Sequence, residues 1–195
     1  IILSLSLFII TSCTDDFEGM NTPNNLITSD VINVNYLFTN VLARSIVHNM
    51  ESGMGTTGNY SGMSYSGANS PFASGDNNQV WSSTYGEYAR NLNDIINLIN
   101  NSDDSEEMVN KKAAARIFRV WVFARATDWY GNIPYFESSL PIDQAVSTPK
   151  YDDQRDIYID FFKELREAVA EIDVSKPTYG AADVLYGGDM SKWIK

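Results

Sequence analysis

The chain has 195 residues, a formal net charge of −11 and 12% aromatic residues. That acidic balance, with no basic stripe, excludes a nucleic-acid partner, because phosphate binding needs clustered Lys and Arg. Its only cysteine, Cys13, excludes an internal disulfide and a cysteine-rich metal site, so stability rests on packing.

Ile1 to Ser12, IILSLSLFIITS, is an uncharged apolar run dotted with serine. It is too short to cross a bilayer as a helix, which takes about 20 apolar residues. An apolar stretch of this size ending in small residues is what a secretory signal looks like at its cleavage site. The basic segment and initiator Met are missing, so the sequence reads as clipped at its N-terminus. Ile10-Thr11-Ser12-Cys13 resembles the lipobox of bacterial lipoproteins, which implies that Cys13 is the lipid-bearing first residue of the mature chain. A single acyl chain holds a protein only marginally, at about 0.8 kcal/mol per buried methylene, whereas two or more hold it stably. Asp15, Asp16 and Glu18 come directly after it and resemble the export signal of surface lipoproteins.

Residues 13–30 are polar and rich in Asn, Asp and Pro, as a tether would be. From Asn33 to Met50, apolar residues recur at Leu37, Val41, Leu42, Ile46 and Met50 and predict a first helix. Residues 51–80 then change character, with Gly, Ser, Thr and Asn around single aromatics. A loop of 30 residues without regular structure is unusual unless functional or disordered. Trp81, Tyr85, Tyr88, Leu92, Ile95, Ile96 and Ile99 form one stripe and predict a second helix.

Residues 106–129 are apolar nearly all round, which marks a buried helix with Trp121 in the core. Lys112, Arg116 and Arg119 keep one narrow side for solvent or acidic partners. Gly131 ends this helix and Pro134 forbids its resumption. Asp152 or Asp153 caps a fourth helix with the stripe Ile157, Phe161, Leu165, Ala168 and Ile172. MSKWIK reads as the opening turn of another. The periodicity predicts an all-α chain of tetratricopeptide-like helix pairs with long irregular loops, incomplete at both ends.

Asp128 to Tyr135, DWYGNIPY, closes the buried helix with two aromatics, a glycine and a proline. With the lipobox, WSSTYGEYARNLNDII, PKYDDQRDIYIDFFKELREAV and GDMSKWIK in the same order, it resembles the SusD/RagB-like nutrient-binding lipoproteins of the outer membrane. The resemblance implies a truncated export signal over 1–12, a lipidated tether over 13–30, and the N-terminal part of a SusD-like helical domain over 31–195. It further implies a surface lipoprotein that binds an oligosaccharide or other nutrient, a peptide among the options, and delivers it to a SusC-like TonB-dependent transporter. No catalysis, cofactor or metal is expected.

His48, the only histidine, lies within the first helix without a metal-ligand partner at a suitable spacing and reads as structural. The alternatives are a surface glycan-degrading enzyme, for which Asp94, Asp128, Glu137 and Asp143 offer carboxylates, and a helical scaffold. Asp128 is expected to hydrogen-bond the turn it precedes, and Trp129 and Tyr130 to anchor the exiting chain. A sugar site needs aromatic faces for pyranose C–H groups and amides or carboxylates for hydroxyls. Tyr60, Tyr65, Phe72, Asn77 and Trp81 supply both and are the candidate ligand-binding residues.

Overall fold

The computed structural model describes residues 32–60, 80–139 and 144–195, with the backbone alone for 48–60 and 139. The expected export signal, the tether with Cys13, and Tyr65, Phe72 and Asn77 lie outside the described residues. The helices belong to the unit Asn33–Lys195.

Helix α1 is Val34–Tyr60. After a helical start at residues 80–83, a π-helical turn spans Thr84–Tyr88 and α2 spans Ala89–Asn100. Helix α3 is Val109–Tyr130, α4 is Gln154–Glu171 and α5 is the single turn Met190–Trp193. Extended pairing among the described residues is limited to one antiparallel bridge, Ile133 with Asp152.

Each long helix packs on its chain neighbour, α1 on α2, α2 on α3 and α3 on α4. The contacts run in opposite directions along the α2–α3 and α3–α4 pairs. Asn93 meets Arg119 while Trp81 meets Tyr130, and Arg116 meets Glu171 while Asp128 meets Tyr158. Only the α2–α3 connection is short, and the α3–α4 connection runs through residues 131–153; the expected all-α fold of helix pairs is what the chain adopts.

Helix α3 lies at the centre because it is apolar on two sides. Its Ala114, Ala115, Phe118 and Val122 join Phe38, Val41 and Leu42 of α1, Leu92, Ile95 and Ile99 of α2, and Tyr179, Met190 and Trp193 in one core. Val120, Phe123 and Ala126, on the other side, join Ile133, Tyr135, Ile157 and Phe161 in a second. Among the described side chains of α1, the largest that is fully buried is Phe38, which stacks on Tyr179 at 3.9 Å and lies outside the expected stripe.

The structure corrects three sequence expectations about the helices. The backbone of residues 51–60 is helical, so α1 continues through ten residues expected as loop. The second-helix stripe divides: Trp81 and Tyr85 meet the second core, while Tyr88, Leu92, Ile95 and Ile99 meet the first. The π-helical turn is the cause, since one extra residue per turn rotates the residues before it by about 100° relative to those after it.

Trp121 is 38% exposed and not core; its ring stacks on Phe118 at 4.9 Å with the Arg125 guanidinium over it. Of the two environments expected for the basic side of α3, solvent or acidic partners, the structure shows acidic partners. Arg116, 9% exposed, binds Glu164, Glu167 and Glu171 of α4 at 3.0–3.1 Å, and Arg119 binds Glu164 and Asn93 at 3.0 Å. Burial alone would lower the Arg116 pKa; its hydrogen bonds and ion pairs with these glutamates outweigh that and raise it.

Candidate functional site

The turn after α3 is shaped by residues incompatible with helix. Gly131 takes φ 75°, its N–H donating to Thr127 O at 2.8 Å, and Pro134 has no N–H to continue the ladder. The chain then runs beside the segment before α4. Asp152 N–H donates to Ile133 O at 2.9 Å, and the buried Asp152 carboxylate accepts from Tyr135 N–H at 3.0 Å and Phe136 N–H at 2.9 Å. Asp153 is the N-cap of α4, accepting from Arg155 N–H at 2.9 Å. Gln154 ties the same corner to α3, its side-chain amide donating to Thr127 O at 2.8 Å and its N–H to Asn132 Oδ1 at 3.1 Å.

On this corner sits an aromatic cluster. Half-buried Trp81 meets Tyr85 at 4.7 Å, Tyr130 edge-on at 5.3 Å, and Tyr151 at 6.0 Å with the rings 22° from parallel. The Tyr130 hydroxyl accepts from Trp81 N–H at 3.2 Å, and the Tyr85 hydroxyl donates to Pro134 O at 2.8 Å. Burial, followed by the nearby Tyr151 and Asp152, raises the Tyr85 pKa and keeps the phenol protonated as a donor. Tyr151 is 62% exposed and shows the cluster to solvent.

Of the candidate ligand residues, Trp81 is therefore at the corner and Tyr60 is the last residue of α1. Tyr151 was missed: it lies between a turn and a helix cap, where hydrophobic periodicity carries no signal. Tyr130 anchors the exit as expected, but Trp129 is 42% exposed. Asp128 does not bond its own turn; its Oδ1 accepts from the Tyr158 hydroxyl of α4 at 2.6 Å. Glu137 accepts from Lys150 N–H at 2.9 Å. Two of the carboxylates that a glycosidase reading would use are thus engaged with separate partners.

At the opposite end of the α2–α3–α4 hairpins, an open depression of about 420 Å³ is lined by Asn100, Ser105, Glu106, Lys112, Glu171 and Lys176, among others. It mixes both charge signs and has no aromatic face for a sugar. Among the described residues, no group of three or more His, Cys, Asp or Glu could hold a metal ion, and no helix is long and apolar enough to cross a membrane.

Residues 20–195 match the SusD-like family model described as starch-binding and associating with the outer membrane. Similar solved structures include these three. A Bacteroidetes AC2a SusD-like protein is 39% identical over 61% of this chain and 20% of its own, with a TM-score of 0.51. A chitin-binding protein is 36% identical over 63% of this chain and 25% of its own, with a TM-score of 0.53. A SusD homologue from Parabacteroides distasonis ATCC 8503 is 29% identical over 62% of this chain and 23% of its own, with a TM-score of 0.54. The matched region is thus only about a fifth to a quarter of each of these proteins. No curated protein matches. With the family model covering residues 20–195 and the helical pairs of these relatives in place, the chain belongs to the SusD-like family.

Proposed function

We propose that this protein is a cell-surface lipoprotein that binds an oligosaccharide without turning it over and delivers it to a SusC-like TonB-dependent transporter. The observation that carries this reading is the family match over residues 20–195. Starch in the family's description and chitin in the name of one relative favour a glycan over a peptide. The engagement of Asp128 by Tyr158 and of Glu137 by Lys150 favours binding over hydrolysis. Residues 1–12 act as the export signal, Cys13 carries the lipid, and residues 13–30 tether the binding domain beside its channel. The tether makes delivery a local event at high effective concentration.

Calorimetric titration of the full-length protein with starch- and chitin-derived oligosaccharides, with the products analysed, tests the ligand class. Saturable binding without turnover is expected; turnover would establish the enzyme reading, and failure to bind any glycan would overturn this one. Cys13→Ala should release the protein from membranes on fractionation and abolish palmitate labelling. Undiminished membrane association of the variant would contradict the anchor.

A further inference from the structure

We infer that Tyr151 is a sugar-stacking residue, its outer ring face taking a pyranose that presents an apolar C–H face while Trp81 backs it from within. The inference rests on the glycan-binding reading and adds to it a residue and a contact.

Three observations carry it. The first is exposure: Tyr151 is 62% exposed, although its neighbour Asp152 and the Tyr135 it helps to fix are buried. The second is ring geometry. With centroids 6.0 Å apart and planes 22° from parallel, Trp81 covers one side of Tyr151 and leaves the other open. The half-buried indole is itself fixed edge-on by Tyr130 at 5.3 Å, so the two rings form a step with one free tread.

The third is rigidity of the backbone on both sides of the exposed ring. Lys150 N–H is bound by Glu137 and Asp152 N–H by Ile133, while the Asp152 carboxylate holds the N–H groups of Tyr135 and Phe136. An exposed ring on a flexible loop would lose conformational freedom on binding; one already held loses little, and more of the contact energy appears as affinity. The Lys150 ammonium, 3.8 Å from Asp152 Oδ1 with its side chain 66% exposed, is next to Tyr151 in the chain and can donate to sugar hydroxyls.

The test uses the full-length protein and whichever starch- or chitin-derived oligosaccharide the parent binds. An aromatic stack of about 0.5–1.5 kcal/mol corresponds to roughly a 2- to 12-fold affinity loss on truncation. Tyr151→Ala should show a loss in this range, Tyr151→Phe should stay within about two-fold of the parent because the ring face is kept, and neither should move the thermal midpoint by more than about 2 °C. Phe162→Ala removes an aromatic that is 57% exposed on the outer side of α4 and should leave affinity unchanged. Parental affinity in Tyr151→Ala would overturn the inference while the glycan-binding reading stands. Equal losses in Tyr151→Ala and Phe162→Ala would also overturn it, and a parent that binds no glycan would overturn both.

Discussion

Two joints of this molecule are each held by one buried aspartate, and they use it differently. At the C-terminal joint, Asp183 accepts four hydrogen bonds, from the N–H groups of Leu185, Tyr186 and Gly188 at 3.0–3.1 Å and from the Trp193 indole at 2.7 Å. The loop closes within ten residues and ends in a buried tryptophan that packs on Phe38 and Phe118. Gly188, at φ 81°, is required there, since a Cβ would lie 2.7 Å from Gly180 N. Asp152, at the aromatic corner, instead joins segments 16 and 17 residues apart and leaves the neighbouring Tyr151 ring facing solvent. A buried carboxylate that satisfies backbone donors can therefore serve packing in one place and display of a side chain in another. What separates the two is whether the aromatic at the end of the joint is buried, as Trp193 is, or exposed, as Tyr151 is.

The comparison breaks first at Asp183. Asp183→Ala strands an indole and three backbone N–H groups at a buried site, a loss of about 3–5 kcal/mol. Asp152→Ala strands two and should cost about 2–3 kcal/mol. Urea midpoints read both, and a larger loss at Asp152 would show that the number of stranded donors does not set the cost.

A smaller effect is expected between α3 and α4. Burial pushes the Glu164 carboxyl up, but the hydrogen bond from Arg116 and the charges of Arg119 and Arg116 outweigh it and hold the group below its ordinary value. Between the two pKa values the unfolded chain binds more protons than the folded one. The stabilisation is therefore complete above the unfolded value of about 4.3 and fades as pH falls from there through the folded value. Glu164→Gln should cost about 1–2 kcal/mol at pH 7 and flatten the acid limb of the stability curve. Parent and variant curves that run parallel from pH 7 to pH 3 would contradict this assignment.

Much of the helical framework was legible in the sequence. The period-3.6 stripe of α4, its cap, narrowed to Asp152 or Asp153, and the Gly131 stop are local signals, and local signals survive folding. Other features depend on partners distant in the chain. A stripe centred on Leu37 passed over Phe38 because the periodicity does not say that Tyr179 and Trp193 converge on one side of α1. The mostly apolar α3 invited the placing of Trp121 in the core, yet α3 has neighbours on only part of its circumference. Helical periodicity also assumes an unbroken α-helix, so the turn at Thr84–Tyr88 that reassigns Trp81 and Tyr85 to the second core had no sequence signature. Trp81 was found as an aromatic candidate. Its pairing with Tyr151, 70 residues away along the chain, came only from the folded corner.

The most direct test of the difference between the two joints is the affinity of full-length Asp152→Asn and Asp183→Asn for the oligosaccharide that the parent binds, measured by calorimetric titration at a temperature where both variants are folded. If Asp152 holds the displayed ring and Asp183 holds only packing, affinity should fall several-fold in Asp152→Asn and stay at the parental value in Asp183→Asn, although Asp183→Asn is the less stable protein. Equal affinities in the two variants, or a greater loss in Asp183→Asn, would contradict the account.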